Sequence, residues 1–377
     1  MNTPLISFVI PVYNGERYIR ETVERIVMAS RGGGAEKVPF EIICVDDCCT
    51  DSSPAILDDL ASAHESVQVI HKQKNENVGA ARNTAIDAAR GDWICCIDSD
   101  DILNSRAFEV FSRLMGEGTL CSRDSMGVNV APCDIVYFLY DQFTVKPPEK
   151  EVLPLHLKKR VFGEAEIREQ QAEILTRRKI RNKPYNFRTL AYVWGKLYRR
   201  EFLKQNRIRF VESMRYEEDL SFNFMCLARC NRSMLVDFPL VHYRYHQVSY
   251  THGYVDGYWK KITDTIPVYR SIIEKFYAGD DRIEKLFHYR VLWQLLFSEL
   301  RGPCHHANPE SFGVRKREFF EILSREEYRG VFSHVKISSL GFPNSLLAFG
   351  VKHRSLLFCQ VLERILQLKN RLANLVG

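Results

Sequence analysis

Residues 93–101 read Trp93-Ile94-Cys95-Cys96-Ile97-Asp98-Ser99-Asp100-Asp101, five apolar positions followed by three carboxylates within four residues. An apolar run without alternation marks a strand buried on both faces, the condition of strands in a parallel sheet. Upstream the same pattern recurs at Phe40–Val45, which ends in Asp46-Asp47, at Val67–Ile70, and at Leu5–Val12, which runs into Tyr13-Asn14-Gly15. Helical spacing separates these runs. Ile19, Val23, Ile26 and Val27 share one helix face; Ser53 and Pro54 supply an N-cap and a first-turn proline ahead of Ile56, Leu57 and Leu60; an alanine-rich stretch from Gly79 to Arg90 closes at Gly91. Strands alternating with helices predict an α/β fold, a doubly wound and mostly parallel sheet with right-handed crossovers.

Outside this region the pattern changes. Residues 116–133 are rich in Gly, Ser and Thr and read as a loop insertion, and 141–160 carry Pro147-Pro148 and a basic run. Almost every segment after Asp256 has helical spacing. The expected division is 1–115, a nucleotide-binding half; 116–250, an acceptor-binding half; and 251–377, a helical C-terminal region. Of the 377 residues 45% are hydrophobic and 27% charged, which excludes a disordered chain and a disulfide scaffold. Charge is unevenly placed: residues 1–110 hold 10 Lys+Arg against 18 Asp+Glu, so the net +6 of the chain lies entirely behind an acidic front. Eleven scattered cysteines with no C-x-x-C argue against a zinc ribbon and suit a reducing compartment. No basic leader precedes Leu5–Val12, and the uncharged stretch 337–351 is too short to span a bilayer, so the expected location is cytoplasmic.

In a doubly wound sheet, ligands bind beyond the carboxyl ends of the strands. Two strands here end in acids, Asp46-Asp47 and Asp98, Asp100 and Asp101. Carboxylates brought together raise one another's pKa unless a cation holds them ionised, and hard oxygen donors suit Mg²⁺ or Mn²⁺ shared with a substrate phosphate. A D-x-D alone also reads as a loop that caps a helix, and the second acidic strand end is what tips the reading toward a phosphorylated ligand. A receiver domain or an aspartate phosphatase would place its acids after the first strand, which here ends in Pro11-Val12-Tyr13-Asn14.

Four blocks in order, Ile10-Pro11-Val12-Tyr13-Asn14, Val45-Asp46-Asp47 with Thr50-Asp51-Ser52, Asn77-Val78-Gly79 with Ala81-Arg82-Asn83, and Gly91-Asp92 before Ile97-Asp98-Ser99-Asp100-Asp101, resemble the family 2 glycosyltransferases of the GT-A fold. The resemblance implies an inverting, metal-dependent glycosyltransferase of the bacterial surface-polysaccharide type. It would move sugar from a nucleotide donor, usually a UDP-sugar, to a glycan or lipid-linked acceptor. It places Pro11, Tyr13, Asn14, Asp46, Asp47, Arg82 and Asp98 in the nucleotide pocket, with Arg82 toward the diphosphate, and gives Asp98, Asp100 and Asp101 to Mn²⁺ or Mg²⁺. Cys48 and Cys49 stand where the family usually has Gly or Cys followed by Ser, which puts the fine geometry of that loop in question.

Further on, Glu217-Glu218-Asp219 opens a helical pattern and resembles the family's Glu-Asp motif, which makes Asp219 the catalytic base and Glu218 its acceptor-orienting neighbour. Acids at a helix start also favour the macrodipole without any chemistry. Trp194 is expected in an acceptor wall and Lys196 beside phosphate; Arg244 and His246, on one face of a strand, are expected to reach the diphosphate. Residues 157–209 hold 16 Lys+Arg against five acids, and 336–377 hold six against one. No nucleic-acid module accompanies these cations, so a membrane surface met by 336–377 is the preferred partner, with a sister subunit as the alternative. Two rivals to catalysis remain: a non-catalytic nucleotide- or carbohydrate-binding protein, and a sugar nucleotidyltransferase.

Overall fold

The computed structural model describes residues 5–32, 37–120, 133–148, 154, 156–177, 185–245, 254 and 256–376, without the side chains of 369–376. It divides into two compact units, one of residues 1–174 and 181–246, the other of 175–180 and 247–377.

The first unit is built on strands β1 (Ile6–Val12), β2 (Phe40–Asp46), β3 (Val67–His71), β4 (Trp93–Cys96), β5 (Ile102–Leu103), β6 (Ile135–Phe143), β7 (Lys159–Phe162), β8 (Lys196–Arg199) and β9 (Ser233–Arg244). They form one sheet in the order β3-β2-β1-β4-β8-β6-β9-β5, with β7 also on β9. The first four are parallel to one another, as the uninterrupted apolar runs require. Beyond them β8 runs antiparallel to both β4 and β6, while β6 and β9 are parallel. Helices α1 (Ile19–Arg31), α2 (Ser53–Ala63) and α3 (Asn77–Ala88) make the crossovers of the parallel half, and α4 (Ala107–Gly116) leads from β5 to β6. Helices α5 (Glu164–Thr176), α6 (Phe187–Ala191), α7 (Arg200–Gln205) and α8 (Glu218–Arg229) follow.

The two edges of the parallel half differ in purpose. At the amino edge, buried Glu41 accepts from the Ser7 hydroxyl at 2.6 Å and from the backbone N–H groups of Arg90 and Gly91. A Cβ on Gly91 would lie 2.6 Å from the Ser7 oxygen and 2.7 Å from its nitrogen, so only glycine lets α3 return to β4 here. At the carboxyl edge the register pairs Val12 with Asp46 and Asp46 with His71, which aligns the ends of three strands. Between the edges lies an aromatic core in which Phe8, Phe40, Phe108 and Phe111 meet at centroid separations of 5.0 to 6.4 Å.

The second unit is helical: α9 (Tyr258–Thr263), α10 (Thr265–Phe276), α11 (Asp281–Arg301), α12 (Phe312–Ser324), α13 (Val331–His334), α14 (Asn344–Lys352) and α15 (Leu356–Val376). Asp280 caps α11 through the N–H groups of Arg282 and Ile283, and Ser311 caps α12. No described helix is long and apolar enough to cross a membrane.

Candidate active site

The carboxyl edge of the parallel strands carries the acids. Asp46 is buried at the end of β2; its Oδ1 accepts from Cys49 N at 2.8 Å and its Oδ2 meets His71 Nδ1 at 2.8 Å. Against the cost of burial, the hydrogen bonds from Cys49 and His71 hold the Asp46 carboxyl below its ordinary range. Asp47, also buried, accepts from Glu76 N at 3.0 Å and pairs with Lys72 Nζ at 3.1 Å, so it fixes the start of α3. Both carboxylates are thus engaged by the protein's own cations and amides. His71 and Lys72 escaped the sequence reading; their signal was the register, which sets β3's last residue directly beside Asp46.

The two thiols that interrupt the expected loop are accommodated. Cys49 Sγ lies 3.4 Å from Val12 O and 3.2 Å from the Asn14 N–H, tying the ends of β1 and β2 where a hydroxyl would otherwise do so. Burial, then Asp46, pushes this thiol up to about 12, so it stays protonated. Asn14, at φ 52°, accepts from Thr50 N, and Gly15 N donates to Ser53 Oγ. A Cβ on Gly15 would come within 3.3 Å of Ser99 Oγ, which is how close this turn lies to the acidic loop. Pro11 is buried within β1, and Tyr13 beside it is 54% exposed at the strand mouth.

The loop after β4 is held by its backbone. Thr22 Oγ1 donates to the carbonyls of Ser99 and Asp101, and Arg244 Nε donates to the carbonyl of Asp100 at 2.9 Å. Asp101 is fully buried; its Oδ1 accepts from Arg244 N, its Oδ2 has no hydrogen-bond partner, and burial, then Asp98 and Asp100, pushes its carboxyl well up. Asp98 and Asp100 stand half-buried beside it. An oxygen-only donor set with an orphaned buried oxygen and mutual repulsion fits a hard divalent cation. Among the described residues the three carboxylates do not close into a ready-made cage, whereas His305, His306 and Glu363 of the second unit place ligand atoms within 4.8 Å of one another. An ion at Asp98 and Asp100 would therefore share its coordination with substrate phosphate.

Arg82 joins this edge to the second acidic element. It sits in α3 with 3% of its surface exposed, its Nη2 2.8 Å from Asp98 Oδ1, its Nη1 2.5 Å from Asp219 Oδ1 and 3.7 Å from Glu218 Oε1. Burial opposes its charge, but Asp219, Asp98 and Glu218 together hold it protonated. Asp219 Oδ2 also accepts from Val193 N at 3.2 Å, and an isolated bridge sets Trp194 beside Cys96 of β4. Burial raises Asp219 and Arg82 pulls it back, with a net upward shift. Glu218, with burial and Asp219 both raising it, is pushed up to about 7. Glu217 enters α8 at φ 62°, turning the two acids inward, and Asn223, one turn on, donates to the carbonyls of Ala191, Tyr192 and Asp219. Asn223 was not picked out from the sequence; its i+4 spacing from Asp219 was the available signal.

Three expectations for the acceptor side change. Trp194 is 4% exposed and packs against both Tyr192 at 4.9 Å and Tyr243 at 5.3 Å, so the half-buried tyrosines, not the tryptophan, border solvent. Lys196 is buried, its Nζ donates to the Tyr192 carbonyl, and burial pushes it down to about 7; it supports the Tyr192 turn instead of meeting phosphate. Arg244 has its Nη2 2.8 Å from Glu21 and its guanidinium over the Tyr18 and Phe143 rings, so it clamps the acidic loop instead of reaching the diphosphate. His246 lies outside the described residues.

The sequence model described as glycosyl transferase family 2 matches residues 7–206. An uncharacterized glycosyltransferase of Bacillus subtilis, EpsJ, is 32% identical over 248 residues, 66% of this chain and 63% of its own length. The putative glycosyltransferase EpsH of the same organism is 30% identical over 267 residues, 70% of this chain and 67% of its own. The crystal structure of S. aureus TarS 1-349 in complex with UDP-GlcNAc aligns with a TM-score of 0.59 at 17% identity, over 97% of this chain and 92% of that one. At that identity the likeness is one of fold.

Proposed function

The chain belongs to glycosyl transferase family 2, and from that premise we propose that it transfers a sugar from a UDP-sugar, with inversion at the anomeric carbon, to a glycan or lipid-linked acceptor in bacterial surface-polysaccharide synthesis. The relatives are named as glycosyltransferases and the S. aureus structural neighbour is titled as a complex with UDP-GlcNAc, which supports the donor class. The observation that carries the reading is Arg82, one buried guanidinium bonded to Asp98 on the donor side and Asp219 on the acceptor side.

In this reading Pro11, Tyr13 and Asn14 border the nucleotide at the mouth of β1, and Asp46 and Asp47 shape the pocket floor with Asp46 toward the uracil N–H. Asp98 and Asp100, backed by Asp101, would hold Mn²⁺ or Mg²⁺, and a divalent cation there would supply charge stabilisation for the leaving nucleotide. Arg82 holds Asp219 and Asp98 together and meets the diphosphate from the Asp98 side. Asp219, fixed by Arg82 and Val193 N, takes the proton of the acceptor hydroxyl. Glu218 is the second candidate for that role, favoured by a carboxyl pushed up to about 7 and by the absence of any cation closer than 3.7 Å among its described ion pairs. Tyr192 and Tyr243 offer ring edges to an acceptor sugar. The protein acts at the cytoplasmic face, where nucleotide sugars are made.

The test is release of UDP from a panel of UDP-sugars with Mn²⁺ and an extracted glycan acceptor. Turnover of one donor supports the proposal. Donor binding by thermal shift without any turnover on any acceptor favours the non-catalytic binding protein, and release of pyrophosphate in place of UDP favours a nucleotidyltransferase.

A further inference from the structure

Helix α15 carries apolar side chains beyond the face it packs. Leu356, Cys359 and Leu362 are buried on one face, while Leu357, Val361, Ile365 and Leu368, spaced four, four and three residues apart, are exposed on the other. The bare stripe continues onto α14 and the turn before it through Phe349 and Phe342, the latter 70% exposed. Gly350 lets the two helices close on each other, since a Cβ there would lie 2.5 Å from the Phe358 ring and 2.8 Å from Cys359 Sγ.

The same corner borders a cavity of about 340 Å³ lined by Arg325, Arg329, Lys352 and Arg354 and by no carboxylate. Arg325 and Arg329 are partly offset by Glu327 and Glu326, at 2.9 and 3.6 Å, whereas no described ion pair engages Lys352 or Arg354. Between residues 336 and 368 the exposed charges are Lys336, Lys352, Arg354 and Arg364, all positive; the one acid, Glu363, is buried and bonded to His306.

We propose that the α14–α15 corner seats the chain on an anionic phospholipid surface, with the apolar stripe in the acyl boundary and a phosphate headgroup in the four-cation cavity. The inference is independent of the transferase reading, since it uses no residue of the first unit. Charge complementarity selects the occupant. A second copy docked on this face would set Lys352, Arg354 and Arg364 against cations of its own kind, while anionic headgroups neutralise them and the acyl layer takes the stripe. Because no described helix can cross a bilayer, the contact is one of lying on the surface.

The experiment is flotation of the full chain with phosphatidylcholine vesicles prepared with and without phosphatidylglycerol. The chain should float only with phosphatidylglycerol. The Lys352→Glu/Arg354→Glu variant should bind roughly tenfold or more weakly, and Leu357→Ser/Ile365→Ser should also lose binding, with melting temperature and UDP-sugar turnover in solution unchanged in both. Equal flotation of the charge-reversed variant, or binding of inorganic phosphate by a chain that ignores vesicles, overturns the proposal. So does a wild-type oligomer in sedimentation that Leu357→Ser/Ile365→Ser dissociates while no form floats, because the stripe would then be covered by another copy.

Discussion

The ends of β2 and β4 look alike in sequence, each an apolar run closing on aspartates, yet the structure balances them differently. At β2 every acid has a nearby partner of its own: His71 and Cys49 for Asp46, Lys72 and Glu76 N for Asp47. At β4 the protein pins the loop by its carbonyls, through Thr22 and Arg244, gives Asp98 a buried guanidinium that Asp219 and Glu218 share, and leaves one oxygen of buried Asp101 without a hydrogen-bond partner. A fully compensated cluster shapes a pocket, and an under-compensated one leaves room for a cation and a substrate. The difference was invisible in the residue types and arises entirely from what the neighbouring elements bring.

The largest effect should fall where the shared guanidinium meets the acceptor side. Asp219→Asn removes the proposed base while keeping the shape of the side chain; kcat should fall on the order of 10³-fold, with UDP affinity by calorimetry within a few-fold of wild type. Intact turnover would break the role assigned to the β4 end of the contrast and pass the base to Glu218.

A paired substitution tests the contrast directly. Asp100→Asn should lower kcat about 100-fold and abolish stimulation by Mn²⁺, while the melting temperature holds or rises because the repulsion felt by buried Asp101 is relieved. Asp47→Asn should do the reverse, lowering the melting temperature by the equivalent of about 1–3 kcal/mol as Lys72 loses a buried partner, with a smaller loss of activity. If both variants lose stability alike, the two strand ends are not different in kind.

The fold of the parallel half was legible because β1, β2 and β4 are buried on both faces and the helices between the strands carry their period openly, so local pattern and tertiary environment agree. The acidic edges were legible for the same reason, since strand ends follow from strands. What could not be read was which side chain points where after the strands: Trp194, Lys196 and Arg244 have residue types suited to ligand contact, and the fold spends all three on supporting Tyr192 and the acidic loop. Arg82 and Asp219 are 137 positions apart, and no spacing rule connects them. Only the antiparallel return of β8 beside β4 and the left-handed entry at Glu217 bring them together.

Glu218 gives a smaller, pH-resolved test. Its carboxyl is raised from an ordinary 4.5 to about 7, so the stability it contributes is complete below pH 4.5 and is lost as pH rises through 7. Glu218→Gln should flatten the melting temperature over that window. If Glu218 is the base, the variant also loses the rising limb of kcat near pH 7; if Asp219 is, the limb persists.

The smallest effect belongs to the compensated end. His71 has its pKa raised first by the hydrogen bond to Asp46 and then by Asp58, against partial burial. A histidine with a raised folded pKa stabilises fully below its ordinary 6.5 and ceases to do so as pH climbs through the folded value. Wild-type melting temperature should therefore decline slightly on going from pH 6 into the region above 6.5, and His71→Gln should remove that decline. Asp46 behaves oppositely, its contribution being lost as pH falls, so the two slopes lie at different pH and can be separated in one titration. The value of kcat should scarcely respond, because Asp46 is assigned to the uracil ring and not to the reacting groups; a large pH-dependent change in kcat on His71→Gln would mean that the β2 end is as close to the chemistry as the β4 end.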